Sequence, residues 1–525
     1  MRIWSGASGA ATRASSADYQ IVVKNVLQLL ERSAERFSDK IAFADEQTAL
    51  SYADFTEKCR QIGTALADRQ LYRRVIAVYL PQSVGSLIAA FGTVYAGNCY
   101  VMIDYRMPLE RIGSIFETVR PAAVLTQEEG AEKLAPMDST VPVLTLRELS
   151  GRTDAQKLHA IRARQIDTDP VYVLFTSGST GIPKGTVVSH RNILTYSAWF
   201  CDAFSLDETT VFGNQTPLYF SMSVSDVFGT LRAGASMHMI PKKLFSFPIK
   251  LLEFLSERQV NTLYWVPSAL CIVADWKALD YAHLPALRRV LFAGEVMPAR
   301  QLNYWREKVP QAQFANLFGP TETTDICCYY IVERPIADTE SVPIGYACDN
   351  CECLILREDG TRADRGETGE LYVRGSFVSS GYFANEEKTR DAFVQNPLQS
   401  DYPEYLYRTG DLVRINSYGE MEYVCRKDFQ IKHMGYRIEL GEIEAAAYAV
   451  PGVKQAVALY DAKPDEIVLL YAGKKMEDAV LMPLLSARLP AYMLPSRIVR
   501  LREMPFNANG KTDRALLRAQ YTQES

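Results

Sequence analysis

No apolar run in this chain approaches the ~20 residues that a membrane span needs. The opening MRIWSGASGAATRASSADYQ lacks the apolar stretch of a secretory signal, and its Gly/Ala/Ser content reads as a disordered tail over residues 1–18. There is no long Lys/Arg block, and the formal net charge is −5, which argues against a nucleic-acid partner. No internal repeat is visible, so repeat architectures are excluded. Ten cysteines in 525 residues is an ordinary level that supplies no disulfide framework and fits a reducing, cytoplasmic setting. Cys348, Cys351 and Cys353 have no second cysteine pair and no histidine beside them to complete a zinc set. Cys351, Cys353 and Ile355 alternate along NCECLIL and share one strand face, so buried free thiols are the expectation.

What is present is a chain long enough for two to four domains, 48% hydrophobic, and able to bury large cores. Apolar runs at 75–80, 122–125, 263–266 and 290–293 end at Pro, Gly or other turn residues, with helical patterns such as 87–94 and 251–255 between them. That alternation predicts an α/β lobe built on mainly parallel sheets. From about residue 345 the texture changes: GETGELYVRG and YGEMEYVCRKD carry the alternation and turns of β-hairpins. After Arg426-Lys427-Asp428 comes IELGEIEAAAYAV, read as an amphipathic helix with Ile438, Ile443 and Ala447 near one face. The expected organisation is a tail over 1–18, a large multi-subdomain α/β lobe over 19–426, and a small α+β domain over 427–525.

The most informative run is VYVLFTSGSTGIPKG at 171–185. Five apolar residues suit a strand buried on both faces, and the loop after them carries Thr176, Ser177, Gly178, Ser179, Thr180 and Lys184. Small residues whose N–H groups turn inward, hydroxyls and one ammonium can wrap a polyanion such as a nucleotide phosphate. Lys184 stands between Pro183 and Gly185, so the loop lacks the Gly-Lys-Ser/Thr ending of a P-loop.

Further motifs follow in order: LSYADF (50–55), YAGNCYVMID (95–104), FGPTETT (318–324), GELYVRG (369–375), YRTGDL (407–412), RKDFQIKHMGYRIELGEIE (426–444), LPAYMLPS (489–496) and NGKTDR (509–514). Together with TSGSTGIPKG, the series resembles the adenylate-forming superfamily of acyl-CoA synthetases, luciferases and the adenylation domains of nonribosomal peptide synthesis. The chain departs from that pattern at Met102, where Pro is usual, and at Cys425, where Gly is usual.

The resemblance implies an ATP- and Mg²⁺-dependent enzyme. A carboxylate must attack the α-phosphorus of ATP, and cations and donors must neutralise two mutually repelling anions. By resemblance, Lys511 reaches in from the small domain to bridge the two, Glu322 holds Mg²⁺, and Thr321 and Lys432 join the catalytic set. Asp411 takes the ribose hydroxyls, Arg426 adds a ribose or phosphate contact, Asn316 and Phe318 flank adenine, and Tyr423 lines the nucleotide site. For the second half-reaction the small domain rotates, with Asp428 at the hinge and Gly435 lining the tunnel for a phosphopantetheine thiol.

In the PLYFSMSVSDVF segment (217–228), Ser221 occupies the position where α-amino-acid enzymes usually carry an Asp for the substrate ammonium. Burying an ammonium without an anion is costly, so a standard α-amino acid is not expected. Asp226, by resemblance, lies beyond the pocket. The pocket set carried over is Phe220, Ser221, Met222, Ser225, Tyr264, Leu291, Ala293, Leu317, Asp325 and Ile326. A flat ring between Met222, Tyr264 and Leu317, with an aryl amine or phenol on Asp325, points to an aminobenzoate-type acid such as anthranilate or 3-hydroxyanthranilate. Activation of a β-amino acid whose amine is displaced toward Asp325 remains open. So do an acyl-CoA synthetase using free CoA and a nucleotide-binding sensor without chemistry. No phosphopantetheine-attachment motif follows NGKTDR, so the expected acceptor is a carrier protein loaded in trans by a stand-alone enzyme.

Overall fold

The structure, a computed structural model, describes residues 23–137, 140–176, 183–427, 430–505 and 512–523. The early apolar runs become a six-stranded sheet in the order Val143–Thr145, Ala123–Thr126, Val75–Val78, Cys99–Met102, Pro170–Thr176 (β1) and Lys184–Ser189 (β2). Every residue of the strands at 75–78, 99–102 and 123–126 is buried, as parallel strands covered on both faces require. β1 and β2 pair antiparallel with Thr176 opposite Lys184, so the two ends of the Gly/Ser/Thr segment meet at one sheet edge.

A second sheet has nine strands. Three consecutive parallel ones are Thr262–Trp265 (β3), Arg289–Ala293 (β4) and Gln313–Phe318 (β5), and Cys328–Ile331 (β6) returns antiparallel to β5. The C-terminal ends of β3, β4 and β5 deliver Val266, Ala293-Gly294 and Phe318-Gly319 to one crevice, where open α/β sheets bind ligands. Helices Val84–Tyr95, His190–Ala203 and Ser223–Ala233 contribute to one apolar core that spans both sheets.

The change of texture near residue 345 marks an antiparallel sheet containing Cys351–Leu356 (β7), Gly369–Gly375, Tyr405–Ile415 (β8) and Met421–Arg426 (β9). Cys351, Cys353 and Ile355 do share one face of β7, while Leu354 and Leu356 bury on the other.

Residues 430–523 build a smaller unit: the hairpin of Gln430–His433 (β10) and Tyr436–Glu439 (β11), then helix Leu440–Tyr448 and a three-stranded sheet of Val453–Asp461, Glu466–Gly473 and Arg497–Leu501. It has its own core around Ile438, Ile443, Ala447, Leu469 and Leu485. One local expectation needs correction. Ile438 lies in β11, not in the helix; alternation and helical spacing both place it on the buried side, and the pairing of Ile431 with Ile438 decides for the strand. Among the described residues no helix is long and apolar enough to cross a membrane.

Candidate active site

The crevice beyond β3–β5 centres on Asp325, a carboxyl group that is 1% exposed. Three hydroxyls converge on its Oδ2: Ser225 Oγ at 2.7 Å, Tyr196 at 3.0 Å and Tyr264 at 3.0 Å. Burial drives the carboxyl upward and the donors from Ser225, Tyr196, Tyr264 and Ser221 pull it back, leaving it at about 6. An acid so placed is poised between its two forms near neutrality. Ser221 Oγ lies 3.4 Å from Thr321 Oγ1.

Of the pocket set, Phe220, Ser221, Met222, Ala293, Asp325 and Ile326 line one cavity, together with Thr321, Asp411, Lys432 and Gly435. Ser225 and Tyr264 stand one layer behind, holding Asp325. Leu291 and Leu317 are buried strand residues outside that lining, although they share the sheet face of Ala293, which does line it. Tyr264 and Leu317 are therefore not walls of the cavity, as the flat-ring expectation had them. Asp226 also lies off the cavity: it is fully buried, takes a 2.7 Å hydrogen bond from Asn214, and is pushed well up by burial.

Among the residues expected at the nucleotide, Asn316 and Phe318 belong to β5. Asn316 Nδ2 donates to the Pro343 carbonyl at 2.8 Å, which fixes the amide's orientation. The Phe318 and Tyr423 rings lie 5.9 Å apart. Asp411 of β8 accepts from Arg426 of β9 at 2.9 Å, both side chains at most 8% exposed. Lys432 Nζ sits 4.5 Å from the centre of the Phe318 ring. Burial lowers this ammonium and Asp411 opposes the fall.

Glu322 is wholly buried. Its Oε2 accepts from Arg437 at 2.7 Å and its Oε1 from Tyr382 at 2.6 Å. Burial alone raises such a group, but the Arg437 guanidinium, the Lys184 ammonium and the Tyr382 hydroxyl outweigh it and hold the carboxylate at about 2. Lys184 Nζ lies 3.7 Å from Glu439 and 5.4 Å from the centre of the Tyr382 ring. Thr176 Oγ1 is buried without a hydrogen-bond partner at the same sheet edge. Lys511, Ser177, Gly178, Ser179, Thr180 and the hinge position Asp428 lie outside the described residues.

The AMP-binding enzyme family model matches residues 30–383. The chain belongs to the AMP-binding enzyme family. Tyrocidine synthase 1 of Brevibacillus parabrevis is 32% identical over 501 residues, 94% of this chain and 45% of that protein. The D-alanine–D-alanyl carrier protein ligase of Lacticaseibacillus paracasei is 30% identical over 519 residues, covering 95% and 99% of the two chains. The fold matches the Vibrio cholerae adenylation domain AlmE, solved with glycyl-adenosine-5'-phosphate, with a TM-score of 0.82 at 21% identity, covering 95% and 98%. The chain spans less than half of tyrocidine synthase 1 and a smaller share of other long synthases it matches.

In this AMP-binding enzyme the β10–β11 hairpin is docked against the crevice. Gly435 has φ +78°, and a Cβ there would stand 2.4 Å from Val266 Cγ1, so the turn needs glycine both for backbone and for space. Its N–H donates to Glu295, whose other oxygen accepts from Ser268 N at 2.8 Å. Tyr436 packs edge-on against Phe220 at 4.6 Å and stacks on Tyr492 at 3.7 Å. Arg111, on the large lobe's helix Leu109–Val119, pairs with Glu442, and the two are 8% and 3% exposed.

Sequence reasoning passed over Tyr196, Tyr382, Arg437, Glu295 and the Arg111–Glu442 pair as functional groups. Arg437 and Glu442 carried a usable signal, their places within the motif at 426–444. The cysteine reading also needs correction. The second pair sought beside Cys353 exists, as Cys327-Cys328: the three Sγ atoms lie within 4.8 Å of one another. Sequence distance hid it, since Cys328 and Cys353 are 25 residues apart and meet through the fold.

Proposed function

We propose that this enzyme joins a carboxylic acid to AMP at the expense of ATP, releasing pyrophosphate, and then hands the acyl group to the phosphopantetheine thiol of a carrier protein. One observation carries the reading most: the hairpin bearing Lys432, Gly435 and Arg437 lies directly on the cavity shared by the acid-side residues and Asp411. That arrangement suits the second half-reaction, in which a thiol must reach the acyl carbon beside Gly435.

In the first half-reaction the acid's oxygen attacks the α-phosphorus. Thr176 and Lys184 stand where phosphate oxygens need donors and positive charge, Asn316 and Phe318 hold the base, and Asp411 accepts from the ribose. Glu322 would hold the Mg²⁺, which when bound neutralises charge on the phosphates. Its carboxylate fits that task only when Arg437 withdraws, because Arg437 and Tyr382 together engage both oxygens here. The small lobe, residues 427–525, therefore moves between steps relative to 19–426: it brings Lys511 to the phosphate for adenylation, turns about Asp428, and returns Arg437 to Glu322 for transfer. Lys432 then faces the nucleotide over Phe318.

The acid we favour is an aminobenzoate such as anthranilate or 3-hydroxyanthranilate. Ser221 supplies no anion for an α-ammonium, and Asp325 already has three donors and needs no cationic partner. It can accept from a neutral aryl amine or phenol. A β-amino acid, its ammonium paired with Asp325, is the second reading, favoured by the cavity lying between Met222 and Gly435 with Tyr264 behind it. An ATP–pyrophosphate exchange panel across benzoates, α-amino and β-amino acids decides. Exchange with an aminobenzoate above all others is expected; exchange confined to β-alanine or leucine overturns the aryl assignment.

A further inference from the structure

Among the described residues, a knot of thiols lies behind the proposed adenine wall, apart from the crevice. Cys327 and Cys328 are fully buried at the start of β6, and Cys353 projects toward them from β7. Cys328 Sγ and Cys353 Sγ are 3.3 Å apart, and Cys327 Sγ is 3.8 Å from Cys328 Sγ. The surroundings are Phe318, Ile344, Leu371, Val373, Val413 and Met421, all apolar.

Three thiolates in such a setting would be expensive to bury, which weighs against a metal cage. A disulfide is neutral before and after it forms, and two sulfurs at 3.3 Å need only a small displacement to bond. We propose that Cys328 and Cys353 form an oxidation-responsive staple between two sheets.

The strands it joins matter. Cys328 stands directly opposite Phe318 in the β5–β6 ladder. Cys353 belongs to the sheet that also carries Asp411 on β8 and Tyr423 on β9. The bond therefore ties the base-stacking wall of the nucleotide site to the wall that carries the ribose acceptor.

The chemistry runs through the one partly exposed member. Cys353 is half-buried while Cys328 is wholly buried. As water and a low-molecular-weight disulfide such as oxidised glutathione reach Cys353, its thiol gives its proton to solvent and attacks, forming a mixed disulfide and releasing one glutathione thiolate that takes up a proton. Cys328 then attacks the Cys353 sulfur, its proton passing to the second glutathione as that thiol is expelled. Two protein thiols are oxidised, one glutathione disulfide is reduced to two thiols, and the protein becomes two hydrogens lighter.

The test uses the full-length protein, fully reduced and then equilibrated at graded ratios of oxidised to reduced glutathione. Denatured thiol titration is expected to fall by two from the ten cysteines of the chain. Peptide mapping is expected to show one linkage, Cys328 to Cys353, reversed by dithiothreitol and accompanied by a raised Tm. Cys353→Val is expected to abolish the linkage, and Cys425→Ser to leave it intact. The wild-type map decides even where a variant fails to fold. Full alkylation of Cys328 and Cys353 at every ratio, a stable glutathione adduct that never resolves, or a linkage at Cys327, Cys271 or Cys425 overturns the proposal.

Discussion

Arg111→Ala separates the two half-reactions through a contact more than 300 residues apart in sequence. Arg111 and Glu442 form an ion pair that bridges the lobes in this arrangement, with the β10–β11 hairpin docked. Removing one partner from a buried pair costs about 3–5 kcal/mol, because the remaining charge stays out of water unpaired. Arg111 Nε and Glu442 Oε2 lack partners even in the intact pair, and a lobe boundary admits water, so the low end applies. About 3 kcal/mol against the docked arrangement is roughly a hundredfold loss of its population, at about 1.4 kcal/mol per tenfold. Pyrophosphate exchange, which on the proposed mechanism proceeds with the hairpin withdrawn, should stay within about threefold of wild type. Transfer to a carrier protein, followed by intact mass in single turnover, should slow by about two orders of magnitude. The double variant Arg111→Met, Glu442→Leu removes both charges and should recover most of the rate. Equal loss in both assays, or unchanged transfer, refutes the latch and with it the assignment of this arrangement to transfer.

Three further outcomes follow from the same geometry. Gly435→Leu forces a side chain into Val266 and an unfavourable φ; carrier loading should fall at least a hundredfold while pyrophosphate exchange persists, and equal loss of both counts against the tunnel assignment. Asp325 ionises at about 6, so if it accepts from an aryl amine, KM for the acid should fall as pH rises through 6, and Asp325→Asn should flatten that profile. The sign for stability is opposite: the native state retains this proton above the usual carboxylate range, so Asp325 contributes less as pH rises from about 4 to 6. Glu322 is depressed from 4.5 to about 2, so its contribution is full above 4.5 and lost as pH falls toward 2; Glu322→Gln should remove that acid-induced part of unfolding, read by Tm against pH, and should raise the Mg²⁺ concentration needed for exchange.

The large lobe was legible because its signals are local. Runs such as 75–80 and 290–293 are buried on both faces, so a continuous apolar stretch announces each strand, and the Gly/Ser/Thr segment declares where the first sheet ends. The residues proposed for the nucleotide came from motifs whose spacing is fixed within strands or strand pairs: Asn316 and Phe318 alternate on β5, and Asp411 faces Arg426 across the β8–β9 ladder. The acid pocket was harder to read. Leu291 and Leu317 share the sheet face of Ala293, so alternation gives the face, but which residue on it reaches the cavity is set by tertiary packing. Tyr196 lies on a helix 129 residues from Asp325, amid Trp199 and Phe200, where it looks like one more core aromatic. Arg111–Glu442, Glu322–Arg437 and Cys328–Cys353 likewise pair residues through tertiary folding, and no local period encodes them.

The central claim, acid activation as an adenylate followed by transfer to a thiol, is tested most directly by rapid quench and mass spectrometry of the enzyme with ATP, Mg²⁺ and an aminobenzoate. The account predicts one acyl-adenylate per enzyme with release of one pyrophosphate, and its conversion to acyl-carrier thioester and AMP once a phosphopantetheinylated carrier is added. ATP that is bound but never cleaved, whatever acid is supplied, would contradict it.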